Sequence, residues 1–562
     1  MDSAFRKALL ALALPLALNA CVKVSGELGK DLIDKSLLFD TYTVEFPIED
    51  ISLRRADDLS GYSDTRLAIG AIRDDTFGLT TRASAFTLIP ALDTLDLGTD
   101  PRFVRFRLRM AADTTSVADE SQRHILQNLY AYALTDTLSS KEAGTNRDIP
   151  HGTEIITRGI PVYDGTDSLV LDFNAAFGQR YIDALRRLGP VLIDRSEGST
   201  VNKYSDFIQA VPGIYVQSDE PEGLGGRINL FELSVLTVSS NYYRQNNNFA
   251  VLTVNSAYDG VRKDTSFLFI PGEPAFYDEV EYLDNNRKFY QYAFNRTSHE
   301  SVESKATDGI FIEGGGGLKP VFHAAPIRDK VYAAIVQRGG NPAKTVINKA
   351  TLLLPYETPE NAEQVDQFPS MLSPTIRNTD DEGSVSFGGL TDASASSENQ
   401  GTLDRANRTY APDITYHMQE ILLRDDLDTK DNADIWLLTV HSETTANATG
   451  NAEQEAYYQQ MMYAMYYNNL YGGGYGYGGY GYGGYGYGGY GYGGYGSNYY
   501  NYMMMAQWYA SMNQTTYSTT QELDKDRYYR AVLNGPASTA VNAANGTRRV
   551  PTFRVTFSIP KD

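Results

Sequence analysis

The sequence predicts a mainly β fold, with tandem antiparallel β-sandwich domains, a few short helices and a disordered Tyr/Gly-rich insertion. Three observations lead to this prediction. Short apolar runs alternate with a period of two residues, turn residues separate these runs, and helical periodicity is rare. Strands and helices do not alternate regularly, which argues against a parallel sheet.

The period-two pattern is clearest at residues 103–110, where Phe106, Leu108 and Met110 alternate with arginines. The C-terminal segment repeats the pattern from Phe553 to Ile559. Such alternation is typical of a half-buried strand. Further strands are predicted at residues 129–134, 170–173, 228–238, 249–254, 347–354 and 435–440. Between Leu230 and Phe231 the apolar phase shifts by one residue, which predicts a β-bulge.

Helical periodicity is strongest in two segments, residues 181–188 and 414–423. Asp413 precedes the second segment as a candidate N-cap. Asp-Gly pairs at 164–165, 259–260 and 308–309 predict turns. The four glycines at 314–317 are interpreted as a loop or bulge, because no Lys-Ser/Thr pair or helix start follows them as an anion-binding loop would require.

The N-terminal segment predicts a lipoprotein signal peptide. Arg6 and Lys7 precede an apolar run, residues 8–18, that is too short to cross a hydrocarbon core of ~30 Å. The sequence Leu18-Asn19-Ala20-Cys21 matches the bacterial lipobox, in which the cysteine thiol is acylated before cleavage. Cys21 is the chain's single cysteine, so its acylation leaves no thiol for disulfide or metal chemistry. Several acyl chains anchor a protein stably to a membrane.

Charge and length bound the remainder of the chain. The net charge of −21 makes a nucleic-acid partner unexpected, because phosphate binding needs Lys and Arg. A length of 562 residues favours several domains. The predicted organisation is a signal peptide (1–20), a tether (21–36), an N-terminal β-sandwich region (37–245), a second β-sandwich region (246–442), a low-complexity insertion (443–521) and C-terminal strands that complete the second region (522–562).

The insertion contains four tandem copies of Tyr-Gly-Tyr-Gly-Gly at residues 475–494. No charged residue occurs from residue 456 to residue 521. Glycine at this density makes ordering costly in backbone entropy. Two interpretations remain open: a tract that self-associates through residues 456–521, or an expanded loop that is tolerated without a role.

The sequence predicts no catalytic, cofactor or metal site. The six histidines, which are His124, His151, His299, His323, His417 and His441, lack zinc-binding spacing, and no nucleophile elbow or phosphate-binding loop occurs. The acidic segments 278–284 and 425–428 lack EF-hand spacing and are interpreted as solvated loops, with calcium binding as the alternative. Paired carboxylates of a glycosidase remain open, because their spacing is spatial. With two tryptophans in the chain, sugar platforms would have to come from tyrosines.

Several segments of the mature chain form an ordered set that is shared with a known family. They are residues 67–70, 74–78, 130–134, 207–216, 347–350 and 530–535. In order and spacing the chain resembles the Bacteroidota lipoproteins grouped as a domain of unknown function (the DUF 4270 group). The resemblance implies a mostly β, cell-envelope lipoprotein. It brings no activity, so Cys21 is the one functional residue carried over.

The resemblance also directs attention to O-glycosylation, which is common in secreted proteins of this phylum at Asp-Ser/Thr pairs followed by an apolar residue or Thr. The pattern occurs at Thr94, Thr114, Thr137 and Ser168. Chance matches are expected in a chain rich in Asp and Thr, so each position is a candidate for mass spectrometry.

The function predicted from the sequence is that of a lipid-anchored protein of the outer membrane, acting as a non-enzymatic binding or structural module. Its expected partners are the membrane, through the lipid, and envelope proteins or further copies of itself. The alternative is a glycan-active, glycoside hydrolase-like surface enzyme with a β-sandwich fold. The ligand and the membrane face are left open.

Overall fold

The computed structural model describes residues 38–63, 65–138, 144–166, 168–194, 196, 198–233, 235–239, 248–272, 282–283, 286–290, 293–380, 383–390, 392, 401–427, 433–447 and 516–561. Side chains are described for these residues except at 235–239, 282–290, 441–447 and 516–522. The lipobox and most of the predicted insertion lie outside the described residues. None of the described helices is long and apolar enough to cross a membrane.

Strands dominate the described residues, which confirms the mainly β prediction. In chain order the strands are β1 (Phe39–Pro47), β2 (Ile51–Arg55), β3 (Tyr62–Ser63), β4 (Arg66–Asp74), β5 (Gly78–Pro90), β6 (Thr99–Val117), β7 (Gln127–Leu134), β8 (His151–Ile155), β9 (Val162–Tyr163), β10 (Ser168–Phe173), β11 (Ile214–Ser218), β12 (Gly225–Glu232), β13 (Val235–Ser239), β14 (Phe249–Tyr258), β15 (Val261–Gly272), β16 (Tyr282–Leu283), β17 (Asn286–Tyr290), β18 (Ala293–His299), β19 (Ser304–Lys305), β20 (Gly309–Glu313), β21 (Leu318–Phe322), β22 (Val346–Pro355), β23 (Met371–Thr379), β24 (Val385–Gly389), β25 (Thr409–Tyr410), β26 (Ile435–Asn447), β27 (Thr516–Leu523), β28 (Arg530–Asn534) and β29 (Thr552–Pro560).

The helices in the described residues are short. The α-helices are α1 (Ala175–Leu188), α2 (Tyr204–Ala210), α3 (Ala324–Gln337) and α4 (Thr415–Ile421), and the 3₁₀ helices are Glu120–Gln122, Pro342–Lys344 and Ala362–Gln367. Asn174 begins α1, because its side chain accepts a hydrogen bond from the backbone N–H of Phe177 at 2.9 Å. The basic residues Arg186 and Arg187 lie in the last turn of α1, where they favour the helix dipole.

Six strands of the largest sheet follow one another around a closed circuit: β15, β14, β6, β12, β4 and β5, with β5 pairing again with β15. Their pairings are antiparallel. Alternate side chains form the first core, in which Phe106 and Phe269 are fully buried. Helix α1 adds Tyr181, whose ring centroid lies 4.9 Å from that of Phe106.

Two other sheets share a second core. One has the order β1-β29-β22-β25, and the other has the order β19-β2-β21-β26-β23-β24. Val555 and Phe557 of the first sheet and Leu437 of the other belong to one cluster of buried side chains. Because the two sheets cover the same core, this part of the chain is organised like a sandwich. Helices α3 and α4 add Ile335 and Met418 to the core.

The predicted boundary between residues 245 and 246 does not separate the two cores and is corrected here. Strands β14 and β15 follow that boundary but pair with β6 and β5 in the largest sheet. Strands β1 and β2 precede it but lie in the sheets of the second core. Alternation identifies a strand and its buried face without naming its partner, so the sequence could not reveal this exchange.

Contacts between residues divide the chain into two compact units, residues 1–440 with 524–562, and residues 441–523. Both cores and all the side chains discussed below belong to the first of these units. In the topology of the sheets, β27 pairs with β26.

Most predictions of individual elements are confirmed. Strands occur in each segment predicted from alternation, but residues 228–238 divide between β12 and β13, which belong to different sheets. The register of β12 against β6 shifts between Leu230 and Phe231, as expected for a bulge. The N-cap of α4 is Ile414, one residue after the predicted Asp413. Asp413 still accepts a hydrogen bond from the backbone N–H of Thr415 at 2.9 Å. Helix α3 was not predicted, because apolar side chains such as Val336 remain on its exposed side and obscure the periodicity.

Candidate functional site

A cleft of about 500 Å³ opens beside the C-terminal end of β6. We call it the polar cleft, because hydroxyl, amide and charged side chains form most of its wall. Its lining residues are 114–120, 123, 361, 363, 364, 366, 367 and 527–529. Three segments that are distant in sequence therefore meet at this place.

Two short helices form opposite parts of the cleft wall. Asp119 begins the first 3₁₀ helix by accepting a hydrogen bond from the backbone N–H of Ser121 at 2.8 Å. Asn361 begins the 3₁₀ helix Ala362–Gln367 in the same way, with Glu363 as the donor at 3.0 Å. Asx caps of this kind fix the backbone where the chain changes direction. The wall is therefore held by local hydrogen bonds.

Gln367 and Arg530 connect the two parts of the wall. Gln367 donates from Nε2 to the carbonyl oxygen of Val117 at 3.0 Å. Arg530 donates to the carbonyl oxygen of Ala118 at 3.1 Å and to the side-chain oxygen of Gln367. These charge-assisted and neutral hydrogen bonds therefore join the two parts of the wall.

Three carboxylates of the polar cleft lie beside cations or N–H groups. Glu120 forms two hydrogen bonds with the guanidinium of Arg123, which lower the pKa of Glu120. Hydrogen bonds from Ser121 lower the pKa of Asp119. Asp366 lies 2.8 Å from Arg405. Asp119 and Glu120 are thus ionised at neutral pH and can accept, but not donate, hydrogen bonds.

A second cleft, of about 310 Å³, adjoins the first, since Gln364 lines both. Its wall contains residues 74–77, 308, 357–359, 364, 368 and 530–534. Asp74 forms an ion pair with Arg530, and Glu357 lies 2.8 Å from Arg549. Arg530 therefore lines the second cleft and also donates hydrogen bonds to residues in the wall of the polar cleft.

A buried group of ionisable side chains lies near the polar cleft. We call it the charge cluster and define it as Arg82, His299, Glu313 and Lys319. Tyr528 lies between the cleft and the cluster. It lines the cleft, and its buried side chain interacts electrostatically with Arg82 and Glu313. Burial raises the pKa of Tyr528, so its phenol is neutral.

The four glycines at 314–317 form the loop between β20 and β21 and fold around Lys319. The Lys319 ammonium donates to the carbonyl oxygens of Glu313, Gly315 and Gly317, at 2.5, 2.9 and 3.1 Å. Gly315 has a φ of +56°, and a Cβ atom at this position would lie 2.2 Å from Nη2 of Arg82. The carbonyl groups of the loop therefore bind the Lys319 ammonium, and this conformation of the loop requires glycine at position 315.

Glu313 is the acid of the charge cluster. Its carboxylate lies 3.2 Å from Nδ1 of His299 and accepts hydrogen bonds from Ser301 and from the backbone N–H of Leu318 at 3.0 Å. Burial acts to raise the pKa of Glu313, but His299 and these hydrogen bonds outweigh burial and lower it. Glu313 is therefore ionised inside the protein.

The cations of the charge cluster experience the opposite effect of burial. Burial lowers the pKa of Lys319 to about 7, whereas its three carbonyl acceptors match the three protons of the ammonium form. Burial also lowers the pKa values of His299 and Arg82. In the described part of the chain, Nε and Nη2 of Arg82, Nε2 of His299 and the Tyr528 hydroxyl have no hydrogen-bond partner.

The residues proposed from the sequence for modification differ in their exposure. Cys21 is outside the described residues. Thr94, Thr114 and Thr137 are exposed, and Thr114 lines the polar cleft. Ser168 is half-buried on β10, where its Oγ accepts a hydrogen bond from Arg109 at 3.1 Å.

Five of the six histidines have described side chains, and each has a partner. His124 and His417 lie near backbone carbonyl oxygens, His151 stacks on Tyr132 and Tyr215, and His299 belongs to the charge cluster. His323 differs, because its two ring nitrogens lie 2.9 Å from Ser52 and 2.8 Å from Asp434.

No group of three or more potential metal ligands occurs in the part of the chain that the structure describes. Of the acidic segments, residues 278–281 and 284 lie outside that part, and Asp426 forms an ion pair with Arg424 at 3.0 Å.

Comparisons of the chain with protein-family models, with curated proteins and with solved structures found no match. The site residues therefore have to be judged by their own geometry. Sequence analysis missed Glu313, Lys319 and Arg530, because single charged residues in strands carry no motif. The one available signal was the run of glycines at 314–317, which marks a close backbone approach.

Proposed function

We propose that the chain is a lipid-anchored outer-membrane protein whose body binds a ligand in the polar cleft. The lipobox at residues 18–21 supports the anchor. A preformed concave site with convergent polar groups supports the binding role. The ligand class that fits is polar and rich in hydroxyl or cationic groups, because Asp119 and Glu120 offer ionised acceptors.

The observation that carries this proposal is the fixed geometry of the cleft. Asp119 and Asn361 set its walls, and Gln367 and Arg530 join them through hydrogen bonds to Val117 and Ala118. A rigid site loses little conformational entropy when it binds a ligand. A set of polar groups held in this way favours recognition over a role as a passive spacer.

The glycoside hydrolase alternative is less well supported by the same cleft. Such an enzyme needs one carboxyl group that remains protonated near neutral pH, to act as the general acid. Hydrogen bonds lower the pKa values of Asp119 and Glu120, which is the direction opposite to that requirement. Neither of these two carboxylates therefore suits the role of general acid, and we favour binding at this site.

The relation to the Bacteroidota lipoproteins is also proposed. Two of the segments on which the resemblance rests, residues 74–78 and 530–535, line the second cleft together. Asp74 of one segment forms an ion pair with Arg530 of the other.

Two experiments test the proposal in separate parts. Metabolic labelling with palmitate should mark the wild-type chain and not Cys21→Ser, and an unlabelled wild type would overturn the anchor. Pull-downs from the outer membrane should then use the wild type, the cleft variant Gln364→Ala with Asp366→Ala, and a control with two exposed residues changed outside the cleft, Lys344→Ala with Glu232→Ala. A partner retained by the control and lost by the cleft variant is expected; an identical partner set for all three would overturn the cleft as the binding site.

Self-association and glycosylation remain proposals with simple tests. Deletion of residues 471–496 should reduce self-association if the Tyr/Gly repeats act as an adhesive tract, and unchanged behaviour would support a loop without a role. Intact-mass spectrometry should show added glycan if Thr94, Thr114, Thr137 or Ser168 is modified. Of these, Ser168 is the least accessible, because it is half-buried and bonded to Arg109.

A further inference from the structure

Three side chains from neighbouring strand ends form a chain of hydrogen bonds on the outer side of the second core. Ser52 lies on β2, His323 follows β21, and Asp434 precedes β26. These strands are adjacent in one sheet, in the order β2-β21-β26. Ser52 Oγ lies 2.9 Å from Nε2 of His323, and Nδ1 of His323 lies 2.8 Å from Oδ2 of Asp434.

We propose that Ser52, His323 and Asp434 form a nucleophilic triad that hydrolyses carboxylic esters. The arrangement has the connectivity that such a site requires: a hydroxyl on one imidazole nitrogen and a carboxylate on the other. A triad is recognised by these roles and distances, and not by the order of its residues in the sequence. This inference goes beyond the proposed binding role and involves different residues from those of the polar cleft.

Asp434 is a positioning residue in this triad. Its Oδ1 accepts a hydrogen bond from the backbone N–H of Ala324 at 2.9 Å, at the start of α3. That contact leaves Oδ2 for His323 and fixes the direction of the carboxylate. The imidazole is thereby held with Nδ1 towards Asp434 and Nε2 towards Ser52. The helix start therefore orients the catalytic histidine.

Ser52 lies on the side of β2 that faces away from the second core. Its neighbours Ile51 and Leu53 are buried in the core, so Ser52 points to the opposite side of the strand. The serine retains 7% exposure, and the side chains of His323 and Asp434 are 28% and 26% exposed. Ser52 is thus buried, and solvent reaches the triad through the side chains of His323 and Asp434.

The reaction follows from the positions of the protons. Ser52 Oγ attacks the acyl carbon, and its proton moves to Nε2 of His323. The ester C–O bond then breaks, and the leaving alkoxide takes that proton, which gives an alcohol and an acyl-serine. Water attacks the acyl-serine, gives a proton to His323, and releases the carboxylic acid with Ser52 restored. Water is the one co-reactant.

Groups beside Ser52 suggest the class of ester. Lys305 is directly opposite Ser52 on β19, and its exposed ammonium pairs with Asp50 at 2.8 Å. An ammonium released from that pair would stabilise the developing oxyanion. Trp436 lies on the same side of the sheet, two strands from Ser52, which is roughly 10 Å. Trp436 and Phe387 are half-exposed, and their ring centroids lie 5.4 Å apart. A short-chain ester with an aryl or alkyl group fits this surface.

A fluorophosphonate probe tests the nucleophile on the full chain. Attack by Ser52 Oγ forms a Ser–O–P bond and releases fluoride, which leaves a mass increase on the peptide that contains Ser52. Wild type should be labelled, Ser52→Ala should not be, and His323→Gln should be labelled at least about 100-fold more slowly. Ser386→Ala, which removes an exposed serine of β24 in the same sheet, should behave as wild type.

The pH profile separates a catalytic role from a structural one. The hydrogen bond to Asp434 raises the pKa of His323 above its ordinary value of 6.5, with Asp50 contributing and Lys305 opposing. Labelling should therefore increase with pH through a midpoint above that value, and Asp434→Asn should shift the midpoint downwards and slow the reaction. Lys305→Met should slow hydrolysis of p-nitrophenyl acetate about tenfold or more.

Each result decides for or against the triad. An unlabelled Ser52 in wild type, or equal labelling in wild type and His323→Gln, would overturn the proposed triad. Ser52 and Asp434 would then only hold the His323 side chain beside α3. Thermal unfolding of every variant shows whether its fold is kept. Because the probe reads one serine outside the polar cleft, loss of this activity and loss of ligand binding are distinguishable.

Discussion

The charge cluster and the polar cleft contain the same kinds of side chain under opposite conditions. In the cluster, the side chains of His299 and Glu313 are each 1% exposed. In the cleft, the side chains of Glu120 and Arg123 are 63% and 40% exposed. Water and salt screen the second pair but hardly reach the first. The cluster is therefore expected to govern stability, and the cleft is expected to remain available for a ligand.

The cluster is tolerated because most of its charge is compensated by hydrogen bonds. Glu313 accepts from Ser301 and Leu318, and Lys319 donates to three carbonyl groups. A buried ion pair gains little over an apolar pair of equal volume, but removal of one partner leaves a charge without compensation. The difference from the cleft should therefore be largest when one member is removed.

The largest effect is expected for Glu313→Ala. This change removes the carboxylate that pairs with His299 and offsets part of the charge of Lys319 and Arg82, so the free energy of unfolding should decrease by about 3–5 kcal/mol. Urea or guanidinium unfolding at constant m-value measures the change. Glu363→Ala, which removes an exposed carboxylate of the cleft, is the matched control and should cost less than about 1 kcal/mol. Equal unfolding midpoints for the two variants would contradict the comparison.

A smaller effect is expected for Gly315→Ala. The alanine would adopt a φ of +56° and place its Cβ against Arg82, so strain and crowding should together cost about 2–4 kcal/mol. Gly339→Ala is the control, because Gly339 has a φ of +79° with no atom within 4 Å of the added Cβ. It should cost about 1–2 kcal/mol, from the backbone conformation alone. If both variants lost the same stability, the close approach to Arg82 would have no energetic weight.

His299 and His323 should give opposite pH dependences. Burial lowers the pKa of His299 below its ordinary value of 6.5, so its contribution to stability is complete above that value and is lost as the pH falls through the folded pKa. Asp434 raises the pKa of His323, so its contribution is complete below 6.5 and is lost as the pH rises through the folded pKa.

Urea unfolding from about pH 5 to about pH 8 measures both effects. The stability of wild type should fall more steeply towards acid than that of His299→Gln. The advantage of wild type over His323→Gln should instead shrink towards alkaline pH. Parallel curves for wild type and either variant would mean that the histidine concerned has the same pKa in the folded and unfolded chains.

The sequence predicted strands better than it predicted sites. Alternation located β6 and β29, and a shift in that alternation located the bulge at Leu230, because each depends on near neighbours in the chain. Strand partners depend on the whole fold. The sequence therefore did not reveal that β14, which follows residue 246, pairs with β6 in the largest sheet.

The sites could not be predicted for the same reason. Asp74 and Arg530 form an ion pair although most of the sequence separates them. Ser52, His323 and Asp434 come from three different strand ends. Residue types at these positions are ordinary, and only the fold brings them together. The exception is the glycine run at 314–317, whose composition alone indicated an unusual backbone.

The smallest effect is expected for Glu120→Gln in the polar cleft. The pair with Arg123 is exposed, so its loss should change the free energy of unfolding by less than about 1 kcal/mol, and the change should decrease further in high salt. The same substitution removes an ionised acceptor from the wall of the cleft and should weaken binding of a cationic or hydroxyl-rich ligand. Unfolding and pull-down measurements on this one variant therefore test the comparison between the charge cluster and the polar cleft. A carboxylate that supports binding but not stability belongs to a binding site, whereas a carboxylate that supports stability belongs to the structural core.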